Sequence, residues 1–292
     1  MNSPVILYRF IASCLLVCLL CLTGELRAER LHLKLANGQE VNGEYQQGDK
    51  AKPAILVLHG FLQTYEFMST RNIVNGLAAQ GYSVLAPNLS LGVPNRQQSA
   101  QCTAVHSHTL ESDLQEIAFW IEWLKQAGHT SVILVGHSWG SQHALAYLAA
   151  QPDPAVKAVI AISLVRTHQS LAQNAEQIQQ AQQRIAAKDN GLHAYAMSFC
   201  KQYMATAQSY LSYARWDDTR VMGVLSQLQK NQVPVYVIIG SADKRIDAQW
   251  LEALQPRVTE LAVVDGANHF FSHVHEFDLN DRLESILTEL GN

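Results

Sequence analysis

Apolar residues along this chain change their spacing several times, and each change marks a new element. Leu31–Leu35 and Glu40–Tyr45 flank Ala36-Asn37-Gly38, and Asn-Gly between two alternating runs predicts a hairpin. Ala54–Leu58 is continuously apolar, as expected of a strand covered on both faces. Ile73, Val74, Leu77 and Ala78 fall at helical spacing, and Tyr82–Ala86 reads as the next strand. Leu110, Leu114, Ile117, Ile121 and Leu124 step by 4, 3, 4 and 3, the stripe of an amphipathic helix. Ser131–Val135 predicts a strand, Trp139–Ala150 a helix and Ala158–Leu164 another strand. The rhythm resumes with a strand at Val233–Ile239, a short helix near Leu251 and a strand at Leu261–Val264. A closing helix carries Leu279, Leu283, Ile286, Leu287 and Leu290. Strands alternating with helices predict parallel βαβ units and a doubly wound α/β sheet.

Between Leu164 and Val233 that alternation stops. The stretch is too long for a structureless loop in a compact domain. It opens with seven Gln between Gln169 and Gln183, has no Pro and few β-branched residues, and is read as a helical cap over about 169–228. Leu171, Ile178 and Ile185 recur every seven residues, which suggests one face of its first helix. Tyr195, Phe199 and Tyr203 stand at i, i+4 and i+8, with Tyr210, Tyr213 and Trp216 beyond. They are either a stripe over a binding site or the packing surface that seats the cap.

The N-terminus is a separate object. Arg9 precedes a 13-residue apolar run, Phe10 to Leu22, and Leu26-Arg27-Ala28 follows, the pattern of a secretory signal peptide cut after Ala28. A membrane anchor needs about 20 apolar residues, so the run is short for one. Lipid attachment at Cys18 or Cys21 is a third reading, but bulky residues precede each. Residues 29–292 then form the working domain, expected in the periplasm or secreted, with no stable membrane span after cleavage. That domain keeps Cys102 and Cys200, which an oxidising compartment would allow to pair or leave as free thiols. With 48% hydrophobic and 16% charged residues the chain is long and apolar enough for one well-buried domain. A net charge of −4 offers no electrostatic footprint for nucleic acid or an anionic membrane.

The chemistry is concentrated at predicted strand ends. Gly136-His137-Ser138-Trp139-Gly140 directly follows an apolar strand and directly precedes a helix. That setting gives a G-x-S-x-G string its meaning: a tight turn presents Ser138 at the sheet edge and at a helix N-terminus. A serine hydroxyl needs a base, and the base needs a partner that fixes its tautomer. Among 12 histidines, His269 in Gly266-Ala267-Asn268-His269-Phe270 lies just past the last strand, on the same sheet edge as Ser138. Asp243 in Gly240-Ser241-Ala242-Asp243 ends the preceding strand, with Asp265 and Asp247 as rivals. His59-Gly60-Phe61 follows the strand at 54–58, so the backbone N–H groups of Phe61 and Trp139 are the expected oxyanion donors. His106 and His108 are spaced like a metal pair, but no third ligand accompanies them and a solvated loop is the plainer reading.

As an ordered set, L-V-L-H-G-F at 56–61, V-G-H-S-W-G at 135–140, I-I-G-S-A-D at 238–243 and G-A-N-H-F at 266–270 resemble the α/β-hydrolase superfamily, from about Leu31 to Leu290. The resemblance implies an eight-stranded, mostly parallel sheet with helices on both faces and a lid between the sixth and seventh strands. It also implies esterase-like chemistry without a cofactor, and no metal site is expected. One departure stands out. Many members carry D-x-x-G-x-G-x-S after the fourth strand, whereas this chain has Asn88-Leu89-Ser90-Leu91-Gly92-Val93-Pro94 and a long loop through Cys102. A serine at the nucleophile position argues against relatives that use aspartate. The resulting expectation is an exported serine hydrolase, with a Ser138–His269–Asp243 triad, acting on carboxylic esters or thioesters of small to medium apolar substrates. A serine peptidase or amidase on the same fold, and a catalytically inactive binding or scaffold protein, are the alternatives.

Overall fold

The computed structural model describes residues 28–166 and 171–291. The expected leader, apart from Ala28, lies outside the described residues. The elements in chain order are β1 (Ala28–Lys34), β2 (Glu40–Gln46), β3 (Ala54–Leu58), α1 (Met68–Ala79), β4 (Val84–Asn88), α2 (Leu110–Gln126), β5 (Val132–His137), α3 (Trp139–Ala150) and β6 (Val156–Ile162). They continue with α4 (Leu171–Ala186), β7 (Leu192–Met197), β8 (Cys200–Thr206), α5 (Ala207–Ala214), α6 (Asp218–Lys230), β9 (Val235–Gly240), α7 (Ala248–Leu254), β10 (Glu260–Val264) and α8 (His275–Gly291).

Alternation within each central strand divides its side chains between two cores. In β3, Ala54, Leu56 and Leu58 face one core while Ile55 and Val57 face the other. In β5, Val132 and Leu134 face the first and Ile133 and Val135 the second. A strand buried on both faces must be apolar at every position, which is why these segments read as unbroken hydrophobic runs. The first core is covered by α2 and α3 and the second by α1 and α8, through Ile73, Val74, Leu77, Leu279 and Leu283. The predicted stripe of α2 is wholly buried, from Leu110 to Leu124. In α3 every residue from Trp139 to Leu148 is buried, so this helix shows no polar face.

The eight main strands run in the order β1-β2-β4-β3-β5-β6-β9-β10. β2 is antiparallel to β1 and β4, and every other neighbouring pair is parallel. The β1–β2 hairpin turns at Leu35–Gln39, where Gly38 sits at φ 86° and Asn37 Oδ1 accepts the Gln39 N–H at 2.9 Å. β4 and β5 flank β3 on opposite sides, so the chain reverses its direction of travel across the sheet there. Such a reversal opens a crevice at the carboxyl ends of the strands.

The insertion between β6 and β9 corrects the expectation of a wholly helical cap. It carries α4, α5 and α6, but also the antiparallel hairpin β7–β8. Tyr195 and Tyr203 are cross-strand partners and not successive turns of a helix. A spacing of four satisfies a helix face and, with a tight reversal at Ser198-Phe199, a hairpin equally well. The inner line of α4 is half-buried Asn174, Gln177, Ile178 and Arg184 around buried Ala181; of the seven-residue repeat Ile178 lies on it, Ile185 is exposed, and the Leu171 side chain lies outside the described residues. Its inward polar groups are used: Asn174 and Gln177 accept the Tyr210 hydroxyl, and Arg184 donates to the Tyr195 hydroxyl at 3.1 Å. Cys102 and Cys200 form a disulfide that joins the long loop after β4 to the tip of this hairpin. No helix among the described residues is long and apolar enough to cross a membrane.

Candidate active site

Four strand ends converge on one edge of the sheet. The turn from β5 into α3 is the tightest of them. Ser138 occupies φ 56°, ψ −118°, a region that a side-chain-bearing residue enters at a cost of about 1–3 kcal/mol. A Cβ at Gly136 would overlap the backbone of Gly140, and one at Gly140 would overlap the carbonyl oxygen of Leu58. Glycine at both positions is therefore what lets strand, turn and helix close together. The Ser138 side chain makes no capping bond to α3, and its hydroxyl meets His269 Nε2 at 2.9 Å.

His269 lies in the turn after β10, and Asp243 in the turn after β9. Parallel pairing of β9 and β10 carries into these turns, where the Ala242 N–H donates to the Ala267 carbonyl at 3.0 Å. The His269 Nδ1–H donates to Asp243 Oδ2 at 2.6 Å. Burial alone would raise the Asp243 carboxyl. The hydrogen bond and charge of His269, the Arg245 N–H and the Arg245 guanidinium outweigh it and hold the group below the usual carboxylate range. Ser138, Asp243 and His269 are all buried. The two rivals for the acid lie elsewhere: Asp265 accepts from Ser241 Oγ, and Asp247 caps α7 and pairs with Arg166.

The amides of Phe61 and Trp139 complete the constellation. Among the described residues neither donates a hydrogen bond within the protein. The Phe61 ring packs edge-on against Trp139 and Phe199, each at 5.6 Å, and tilted against Tyr203 at 5.7 Å. Phe199, at the hairpin tip, is 50% exposed while Tyr195 and Tyr203 are buried, so the cap offers one half-open aromatic face beside Phe61. A groove of about 900 Å³, lined by Leu148, Trp216, Val224 and Leu228, contains none of Ser138, Asp243 and His269. Its size carries no weight against the hydrogen-bonded arrangement at the strand ends.

Sequence reasoning passed over several residues that shape the site. His137 stands inside the G-x-S-x-G string, and its Nε2–H donates to the His269 carbonyl at 2.9 Å, beside Ser163 Oγ, which donates to the same oxygen at 2.9 Å. Burial, reinforced by the adjacent His269, lowers His137 to about 3, so it acts as a neutral strut. His106 and His108 are buried and not on a solvated loop. His106 stacks on Tyr203 at 4.0 Å, and His108 meets the hydroxyls of Tyr203 and Tyr213 at 3.2 and 2.6 Å. No group of three or more metal-ligating side chains is found among the described residues.

The hub of that cluster is Asp113. It accepts the Tyr213 hydroxyl at 2.5 Å and His143 Nε2–H at 3.1 Å, with His108 Nδ1 at 3.4 Å. Burial would raise this carboxyl, but the charges of and hydrogen bonds from His108 and His143 hold it well below the ordinary range. Asp113 thus joins α2 to α3 and to the cap. Its position was legible: Asp113 and Glu116 fall on the buried side of the α2 stripe, where an acid needs a partner. Asp113→Ala would strand the buried Tyr213 hydroxyl and His143 Nε2–H and is expected to cost about 3–5 kcal/mol, measured by urea unfolding at pH 7. A loss under about 1 kcal/mol would mean that solvent replaces the carboxylate.

Glu116, one turn on, behaves oppositely. Burial raises it to about 7 despite its hydrogen bonds with Ser90 and the nearby Arg96 charge. A raised carboxyl keeps its proton in the folded state after the unfolded chain has lost it, so stability falls as pH rises from about 4.5 to about 7. Glu116→Gln should therefore gain on the parent by about 3 kcal/mol across that window, read from denaturation midpoints at several pH values. A stability difference that is flat with pH would contradict the assignment.

This fold and this strand-edge constellation define an α/β hydrolase, and comparison with known proteins agrees. Residues 53–209 match the family described as the alpha/beta hydrolase fold, and the chain belongs to it. An epoxide hydrolase of Caballeronia sordidicola is 31% identical over 114 residues, which cover 39% of this chain and 32% of that protein. The chain thus spans about a third of the length of that curated relative. The alpha/beta hydrolase GrgF from Penicillium sp. sh18 superposes with a TM-score of 0.70 at 13% identity, over 90% of this chain and 99% of that one. Est1E from Butyrivibrio proteoclasticus superposes with a TM-score of 0.63 at 17% identity, over 89% of this chain and 98% of that one. These likenesses concern the fold.

Proposed function

We propose that this chain is an exported serine hydrolase that cleaves carboxylic esters or thioesters of small to medium apolar substrates. The observation that carries this reading is the continuous line from Asp243 through His269 to Ser138, with hydrogen bonds of 2.6 and 2.9 Å. His269 takes the Ser138 proton as the hydroxyl attacks the substrate carbonyl. The oxyanion forms against the Phe61 and Trp139 amides, each of which is worth about 3–4 kcal/mol of transition-state stabilisation. His269 then protonates the leaving group, and a water repeats the sequence on the acyl-enzyme. Asp243 stays ionised and holds the imidazole in the tautomer whose Nε2 can accept a proton.

Two further observations bear on the substrate. Serine attack on an epoxide would leave an alkyl ether, which a histidine-activated water does not cleave, so the epoxide hydrolase relative is a guide to fold and not to reaction. The half-open Phe199 face beside Phe61 suits an apolar acyl or aryl group. Export is supported by the signal-like N-terminus and by the Cys102–Cys200 disulfide, a bond that persists in oxidising compartments. The test is turnover of p-nitrophenyl esters of rising chain length, beside aminoacyl arylamides, with fluorophosphonate labelling of Ser138. Faster cleavage of arylamides than of esters would move the assignment to a peptidase, and neither turnover nor labelling would leave a non-catalytic scaffold.

A further inference from the structure

The departure after β4 brings a buried arginine against the oxyanion loop. Arg96 is 5% exposed and makes no ion pair within 4 Å among the described residues. Its donors go instead to backbone. Nε donates to the Leu89 carbonyl at 2.8 Å, Nη1 to the Gln98 carbonyl at 2.8 Å and Nη2 to the Gln63 carbonyl at 2.7 Å, with the Leu62 carbonyl at 3.5 Å from Nη1. Nη2 also meets His59 Nε2 at 3.2 Å. That nitrogen accepts the Leu89 N–H at 3.1 Å as well, so the ring proton is on Nδ1, which donates to the Gly60 carbonyl at 2.9 Å. Burial, then the adjacent Arg96 charge, lowers His59 to about 3, consistent with this neutral tautomer. The Arg96 carbonyl is itself held by the side-chain amides of Asn42 and Asn88 at 2.9 and 3.1 Å.

Phe61 therefore sits between two clamped residues. Gly60 before it is held through His59, and Leu62 and Gln63 after it are held by the guanidinium directly. Leu62 has φ 59°, a conformation that a side-chain-bearing residue keeps only when its neighbours impose it. One planar group with five fixed donors reaches both sides of this turn, which a lysine ammonium cannot do.

We propose that Arg96 is a positioning residue for the hydrolytic reaction: through His59 and the carbonyls of Leu62 and Gln63 it fixes the Phe61 amide where the oxyanion forms. The role rests on the reading of Ser138 as nucleophile. It acts on the transition state and leaves ground-state binding alone. Arg96→Met is expected to lower kcat by about 10²-fold with KM nearly unchanged, the signature of a displaced oxyanion donor. Arg96→Lys should recover part of that loss.

The experiment pairs steady-state kinetics on a p-nitrophenyl ester with hydrogen exchange read by mass spectrometry, on full-length mature parent, Arg96→Met and Arg96→Lys. Near-UV circular dichroism fixes the folded fraction of each. Supporting results are a kcat loss per folded molecule, partial recovery in the lysine variant, and faster exchange confined to peptides spanning 59–63 and 88–96. Unchanged kcat in folded variants, or a loss that matches the unfolded fraction, overturns the proposal. Should the parent show no Ser138-dependent turnover, the hydrolase reading fails separately. Exchange at 59–63 then decides the clamp alone: faster exchange sustains it, and unchanged exchange overturns it.

Discussion

Ser138→Ala is expected to lower ester turnover by about 10⁴- to 10⁶-fold while leaving the fold and its stability nearly intact. In the proposed mechanism the Ser138 hydroxyl is the attacking atom, so alanine removes the nucleophile. His269 and Asp243 without Ser138 form a base with no nucleophile, so removing either of them as well should add little to the loss. The substitution is mild structurally because the Ser138 side chain makes no capping bond to α3, and the strained backbone at φ 56° is the same for alanine. Residual rate above that of water would come from the Phe61 and Trp139 amides and from substrate binding. The measurement is kcat/KM on a p-nitrophenyl ester, with folding checked by circular dichroism and melting temperature. A folded Ser138→Ala variant that retains a tenth of parental activity would remove Ser138 from the mechanism.

The second large effect is on stability. Replacing both Cys102 and Cys200 by serine is expected to destabilise the protein by about 4–5 kcal/mol, because the link closes a loop spanning a sequence separation of 98. The loop contains α2 and α3, which cover the first core, so the unfolded chain gains considerable freedom without it. In the folded state the disulfide is not alone. Residues 102–106 run beside β8 through Met204 N–H to the Cys102 carbonyl at 3.1 Å and His106 N–H to the Met204 carbonyl at 2.9 Å. The loosened variant should thus keep its hairpin but unfold at lower urea, and protease should cut first near Phe199. Equal urea midpoints for parent and variant would show that residual structure in the unfolded chain already imposes the constraint. The kinetic consequence follows from place: Phe199 adjoins Cys200 and packs on Phe61, so apolar acyl selectivity should relax before turnover of the shortest esters changes.

How much of this was legible varies by element. The helix at Trp139–Ala150 was read with its observed bounds because a glycine-flanked turn marks its start and a long apolar stretch fills it. Central strands were read to within about two residues, since double burial demands unbroken apolar runs. The Ser138, Asp243 and His269 positions were legible for a related reason: each follows a strand directly, and parallel strands deliver their ends to one edge. The cap was not. Its hairpin rests on pairing between Tyr195 and Tyr203 and on a disulfide, and a spacing of four does not distinguish that from a helix. Histidine roles were also hidden, because partners lie far away in sequence: His137 acts on a carbonyl 132 residues on, and His108 on a hydroxyl 105 residues on.

The sequence by itself determined the α/β alternation, the two-faced central strands and the order of the three residues at strand ends. These follow from local patterns: hydrophobic period, glycine at a crowded turn, and polar side chains just past an apolar run. Only the tertiary structure decided which buried polar groups satisfy one another. Arg96 meets carbonyls from three loop segments, Asp113 gathers donors from α3, the cap and its own approach loop, and Cys102 finds Cys200. A buried donor or charge must be paired, but the chain pattern states only that requirement. Which group meets it is fixed by the packing of segments that no local signal connects.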